Sequence, residues 1–213
     1  MKDELIPAMN QALASAETLQ YGYKNVLIQN ESGGSININI QTPSLDIRND
    51  AEVILAMHSF SHESYQLLVT ADNNVFKCKT ISVPACSSLV KDTVPPEIFE
   101  RCSSLEEEGI RELKTFPALI CIQNRDFDGQ TSPDEIGVFG YIKSVQKCGH
   151  MINIAFGILA PVSHSILCDK KNAVYYDLNM SCGITSLNRL EWTVHRIDLF
   201  EAFDKTGVNY PKL

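Results

Sequence analysis

The stretch Glu135 to Val162, EIGVFGYIKSVQKCGHMINIAFGILAPV, restricts what this chain can fold into more than any other. Two long β-prone arms, VFGYIKSVQ and MINIAFGIL, flank the turn formers Lys147 to His150, which predicts a long β-hairpin. Gly140 and Gly157 interrupt the arms. Glycine within a strand marks a bulge or sharp bend, so the hairpin is expected to begin a small sheet that curls towards a barrel.

The segments around the hairpin support such a lobe. ALICIQ, after Pro117, reads as a buried strand, and RDFDGQTSPDE as a polar loop. Ala173 to Met180 and Glu191 to Ile197 are expected to add two strands. Asp198 is placed to cap a terminal helix, LFEAFDKT, that Gly207 closes. Before the lobe, Pro95-Pro96 breaks the chain, and the charged run to Lys114 predicts a short helical connector with a solvated face.

The first half reads as a helix followed by antiparallel strands. Leu5, Ile6, Met9, Leu13 and Ala16 form an apolar stripe at helical spacing over Asp3 to Leu19. Val26 to Gln29 and Ser35 to Gln41 are β-prone and meet at Gly33-Gly34, which predicts a hairpin. Ile36, Ile38 and Ile40 alternate with Asn37, Asn39 and Gln41, giving one apolar face and one face of amides. That amide face is either a solvated sheet surface or a hydrogen-bonding platform, with Asn37, Asn39 and Gln41 as the candidate binding residues. Ala51 to Phe60 fits either a strand or a short helix and is read as a strand, and Tyr65 to Thr70 with Asn74 to Val83 as a hairpin about Asp72-Asn73-Asn74. The expected fold is therefore α+β and mainly antiparallel β. It divides into an N-terminal helix and β lobe (1–94), a helical connector (95–116) and a barrel-like lobe with a C-terminal helix (117–213).

Several function classes are disfavoured by composition and by missing motifs. The net charge of −8, with no run of Lys and Arg, makes nucleic acid a poor partner. No stretch approaches the roughly 18 apolar residues of a membrane helix, and the first residues lack a basic-then-apolar leader, so a cytoplasmic protein is expected. The seven cysteines are an odd number without a C-x-x-C pair, which reads as reduced thiols, with Cys121 and Cys182 taken as buried small hydrophobes. Phosphate-loop, dinucleotide, nucleophile-elbow and zinc-deaminase signatures are all missing from the sequence, and no cofactor is implied.

What remains is a short set of candidate sites. His58 and His62 have the spacing of metal ligands on a helix, but on a strand they stand about 13 Å apart, too far for one zinc ion. Asp126, Asp128, Asp134 and Glu135 bring hard-cation oxygens to one loop, in a spacing that matches only the opening of a calcium loop. Cys148 beside His150 in the hairpin turn, or Cys168, would be the nucleophile of a thiol hydrolase if a base lay within reach. Trp192 and His195, near Phe200 and Phe203, read as core aromatics, or as a ligand cage if they face a concave surface.

ELKTFPALI, VFGYIKSV and NRLEWTVHRIDLFEAF, in that order, are similar to a C-terminal module of bacterial phage-defence proteins. The resemblance covers roughly the last 100 residues and rests on Pro117, Gly140, Trp192, Asp198 and Leu199. It implies a prokaryotic, cytoplasmic, defence-linked accessory or sensor part and carries over no catalytic or binding residue. The expected function is thus a non-enzymatic interaction or sensing subunit that engages a protein partner or a second copy of itself. The alternative is a hydrolase or nuclease using a metal at Asp126, Asp128 and Asp134, or Cys148 with His150.

Overall fold

The computed structural model describes residues 51–132, 135–178 and 182–212, and the backbone of 20–21, 24–29 and 37–41. The helix expected over Asp3 to Leu19 lies outside the described residues. The chain divides into two compact units, Met1–Leu45 and Asp46–Leu213.

In the first unit, β1 (Gln20–Tyr21), β2 (Lys24–Gln29) and β3 (Asn37–Gln41) form an antiparallel sheet in the order β1-β2-β3. The expected hairpin is present, with Leu27 opposite Asn39 and Gln29 opposite Asn37. The side chains of Asn37, Asn39 and Gln41 lie outside the described residues.

The second unit is α+β, with a mixed, mostly antiparallel six-stranded sheet that curls into a half-barrel. Its strands are β4 (Tyr65–Thr70), β5 (Thr80–Pro84), β6 (Ala118–Ile122), β7 (Ile136–Cys148), β8 (Met151–Ser163) and β9 (Glu191–His195). They lie in the order β5-β8-β7-β6-β4-β9, so strands from both sides of the connector hydrogen-bond within one sheet. Its helices are α1 (Ala51–Ser59), α2 (Val75–Cys78), α3 (Pro96–Cys102), α4 (Glu107–Leu113), α5 (His164–Cys168) and α6 (Leu199–Thr206). The connector is α3 and α4, and it lies inside the second unit. Among the described residues no helix is long and apolar enough to cross a membrane.

The sheet is covered on both faces. Every residue of β4 and β6 is buried, because Leu68 and Ile120 enter one core while Leu67 and Leu119 enter the other. Strands buried on both faces read as continuous apolar runs and must sit inside a sheet. Accordingly β4 lies between β6, which it joins in the only parallel pairing of this sheet, and β9. Gln66 is the one polar side chain in the middle of β4. Its Nε2 donates to the carbonyls of Leu113 (2.7 Å) and Phe116 (3.2 Å), and its Oε1 accepts from Trp192 Nε1 (3.1 Å). This amide therefore ties the end of α4 and the Trp192 indole to the sheet at no desolvation cost.

Three expected elements are corrected. Ala51–Ser59 is a helix, not a strand. Val53, Ala56, Met57 and Phe60 are the residues it turns to the core, and the spacing i, i+3, i+4, i+7 requires a helix, while Leu55 is 72% exposed. Residues 74–83 do not form a hairpin with β4: the Asp72 carboxylate accepts from Asn74 N and starts α2, and β5 then pairs with β8. The buried-exposed alternation of β5 suits the sheet edge, whereas β4 needs neighbours on both sides. Ala173–Tyr176 is a 3₁₀ turn, because Ala173 and Tyr176 face the core three residues apart with Val174 and Tyr175 outside.

The long hairpin forms as expected, with Gly149 at positive φ in its turn. Its register shifts between Phe139 and Gly140 and again between Ile142 and Ser144. A Cβ on Gly140 would strike the Gly157 carbonyl, and one on Gly157 would enter the Tyr141 ring. The two glycines thus let the arms approach closely at the bend. Gly140→Ala is expected to cost at least about 2 kcal/mol in urea denaturation, because the obstacle is backbone and cannot give way. Gly149→Ala, with open space but a φ of 63°, should cost only about 1 kcal/mol.

Candidate functional site

A cleft of about 720 Å³ opens along β9. Its wall is the inner face of that strand, the loop 182–189, Asp177 and the segment 92–95. Strand β9 ends the sheet, and the 88–93 segment partly covers its outer edge: Leu89 N donates to the Trp192 carbonyl (2.7 Å) and the Thr193 hydroxyl to the Thr93 carbonyl. In EWTVH, Trp192 and Val194 enter the core, so Glu191, Thr193 and His195 fall together on the other face, in the cleft lining.

His195 is the best-placed functional side chain. It stands opposite Tyr65 in the β4–β9 register, and the two rings stack at 5.2 Å with an 18° interplanar angle. The Tyr65 hydroxyl donates to the Tyr176 carbonyl (2.6 Å), fixing the turn in which Asp177 takes a φ of 52°. That turn brings Asp177 Oδ2 to 3.3 Å from His195 Nδ1. The hydrogen bond from His195 holds the Asp177 carboxyl below its ordinary range. A carboxylate can only accept, so Nδ1 carries a proton, and in the neutral form of the ring this tautomer leaves Nε2 as an acceptor. His195 is only 7% exposed, and its Nε2 is buried with no hydrogen-bond partner. Glu191 Oε1 is in the same condition, and burial raises that carboxyl, with the Arg189 charge pulling the other way.

The other candidates are distributed elsewhere. His58 is at the exposed end of α1, while His62 pairs with Asp198 at 3.1 Å and rests on the Phe200 ring. Asp198 also caps α6 as expected, accepting from Phe200 N and Glu201 N. Cys148 and His150 are exposed at the hairpin tip, where the Cys148 thiol accepts from Asn153 and no hydrogen bond joins it to His150. Cys168 is buried against the Asn124 amide, and its thiol is pushed up to about 11 by burial, which leaves negligible thiolate at neutral pH. Cys121 is buried as expected, but Cys182 is exposed in the cleft lining, a correction that follows from its φ of 52° in a loop turn.

In the acidic loop, Asp126 accepts from the Ser132 hydroxyl, Asp128 is exposed, and Asp134 lies outside the described residues. Glu135 is buried and accepts from Arg125 N, Ser132 N and the Thr131 hydroxyl, so it serves to close the loop. The Asn188 amide holds the same loop through the carbonyls of Asn124 and Asp126. Among the described residues no three His, Cys, Asp or Glu side chains group as a metal site.

The Glu191–Thr193–His195 stripe was legible as polar residues alternating with Trp192 and Val194. Trp192 and His195, expected in one aromatic cluster, are separated by the strand, with Trp192 fully buried on the opposite face. No family model, curated protein or solved structure matches the chain at a significant level.

A second buried imidazole lies outside the cleft. His164 is 2% exposed with neither ring nitrogen hydrogen-bonded, and burial holds its pKa down to about 4 against the pull of Glu135. The folded state therefore keeps it neutral, and the stability this contributes is present above pH 6.5 and lost as pH falls towards 4. Urea midpoints should report a loss of roughly 2 kcal/mol between about pH 7 and pH 5, and His164→Leu should remove most of that slope.

Proposed function

We propose that the chain is a non-enzymatic binding and sensing subunit of a bacterial cytoplasmic defence system, receiving a small polar ligand in the β9 cleft. The observation that carries this reading is the pair of buried acceptors without partners, His195 Nε2 and Glu191 Oε1, beside one cleft. Buried polar atoms are almost always satisfied, and leaving one bare costs about 1–3 kcal/mol. The His164 nitrogens bear the same cost away from the cleft, so what sets His195 Nε2 and Glu191 Oε1 apart is that both residues line one opening. The defence role is supported by the resemblance of roughly the last 100 residues alone. Binding of a protein partner or a second copy is supported by β3, which ends its three-stranded sheet and offers an edge for strand addition.

The reading has a direct thermodynamic test that needs no ligand. Glu191→Met removes a polar atom that has no partner while keeping its volume, so the free protein should become more stable by about 1 kcal/mol. The gain should widen as pH rises above the ordinary carboxyl value of 4.5, where the unfolded state ionises first, and level off once the raised folded value is passed. Thermal melts across a pH series measure both effects. A destabilised variant would show that Glu191 has a structural role and would remove the main support for a ligand site.

A further inference from the structure

We propose that the β9 cleft binds a small, extended organic cation with N–H donors at both ends, one end held by His195 Nε2 and Asp177, the other by Glu191. The inference rests on the ligand-binding reading above and adds the chemistry of the ligand.

Three features of the site select that chemistry. First, the unpartnered atoms of its lining suit N–H donors: with Nδ1–H given to Asp177, the neutral His195 ring presents Nε2 as an acceptor, and Glu191 Oε1 is a carboxyl oxygen. A ligand must therefore bring donors. Second, the balance of charge favours a cation. Asp92, Asp177 and Glu191 line the cleft, Arg196 is already paired with Glu97 at 3.1 Å, and the whole chain carries −8. The remaining cation, Arg189, is exposed, and its charge acts on Glu191. Third, Glu191 and His195 share a strand face four residues apart, about 13 Å at standard rise, so one compact ion cannot satisfy both. An extended molecule with two cationic ends can.

The site does not rest on acidic residues alone. His195 is more than nine-tenths buried in the cleft lining, with an unpartnered nitrogen, and it is oriented by both the Tyr65 stack and the Asp177 hydrogen bond. A side chain held so closely has little rotamer freedom left to lose on binding.

Agmatine, with a guanidinium and an ammonium on one four-carbon chain, is the probe, titrated calorimetrically into the full chain alongside spermidine. Agmatine is expected to bind, and 4-guanidinobutyrate, which exchanges the ammonium for a carboxylate, to bind at least about tenfold more weakly. Glu191→Gln and His195→Phe should each weaken agmatine by about tenfold or more, and Arg189→Ala should tighten it. The ligand exchange requires no variant, so it reads the site even if His195→Phe fails to fold. Three results would each overturn the assignment: no binding of either amine, agmatine binding unaffected by Glu191→Gln, or a dianion such as glutarate binding more tightly through Arg189. If the amines fail while Glu191→Met still stabilises the free protein, the cleft remains a ligand site and only its cationic ligand is rejected.

Discussion

Burial of β4 and β6 on both faces is the constraint from which the rest of the second unit follows. Leu67, Val69, Leu119 and Cys121 face one core, and Leu68, Ala118 and Ile120 the other. Two such strands cannot be edges, so they pair with each other and leave the ends of the sheet to β5 and β9. Two apolar faces also need two covers. Helices α2, α3 and α4 contribute to one core, and α1, α5 and α6 to the other. Phe139 anchors the second core, with its ring 5.3 Å from that of Phe203 and 5.9 Å from that of Phe60. The connector folds back onto the sheet through the carbonyls of Leu113 and Phe116, to which Gln66 Nε2 donates.

The candidate site lies where this packing ends. On the cleft side, β9 bears Glu191, Thr193 and His195, and the apolar residues between them are drawn into the core behind. Thr193 finds a backbone partner, whereas Oε1 of Glu191 and Nε2 of His195 do not. An edge strand is where polar side chains can be shielded from water yet remain next to an opening. The Tyr65 side chain serves both purposes, supporting the His195 ring by stacking and setting the Asp177 turn through the Tyr176 carbonyl. Core and site are therefore coupled through one residue of β4.

The legible parts of the fold were those whose cues are local. The Asp198 cap, the Gly207 terminus of α6, the proline that starts α3 and the Gly140 and Gly157 bend all rest on backbone chemistry within a few residues. The misread segments had cues that tertiary contacts override. Val53 and Ile54 favour a strand, yet the core takes Val53, Ala56, Met57 and Phe60 at helical spacing. Asp72 to Asn74 makes a turn of the expected composition, but the turn leads into a helix because β4 already has β6 and β9 as neighbours. Cys148 and His150 stand two apart in sequence within one turn; the hairpin tip exposes both and bonds the thiol to Asn153.

By itself the sequence determined an α+β chain with a long, bent hairpin, a capped terminal helix and a β9 strand that alternates polar with apolar residues, since these depend on glycine geometry, capping and period-two patterning. Only the tertiary structure decided the strand order and the site. Asp177 lies 18 residues from His195 and Tyr65 lies 130, and sequence spacing contains no term for a ring stacked across a sheet or a carboxylate delivered by a distant turn. Which buried polar atoms find partners is likewise settled by packing, and two that find none mark the cleft.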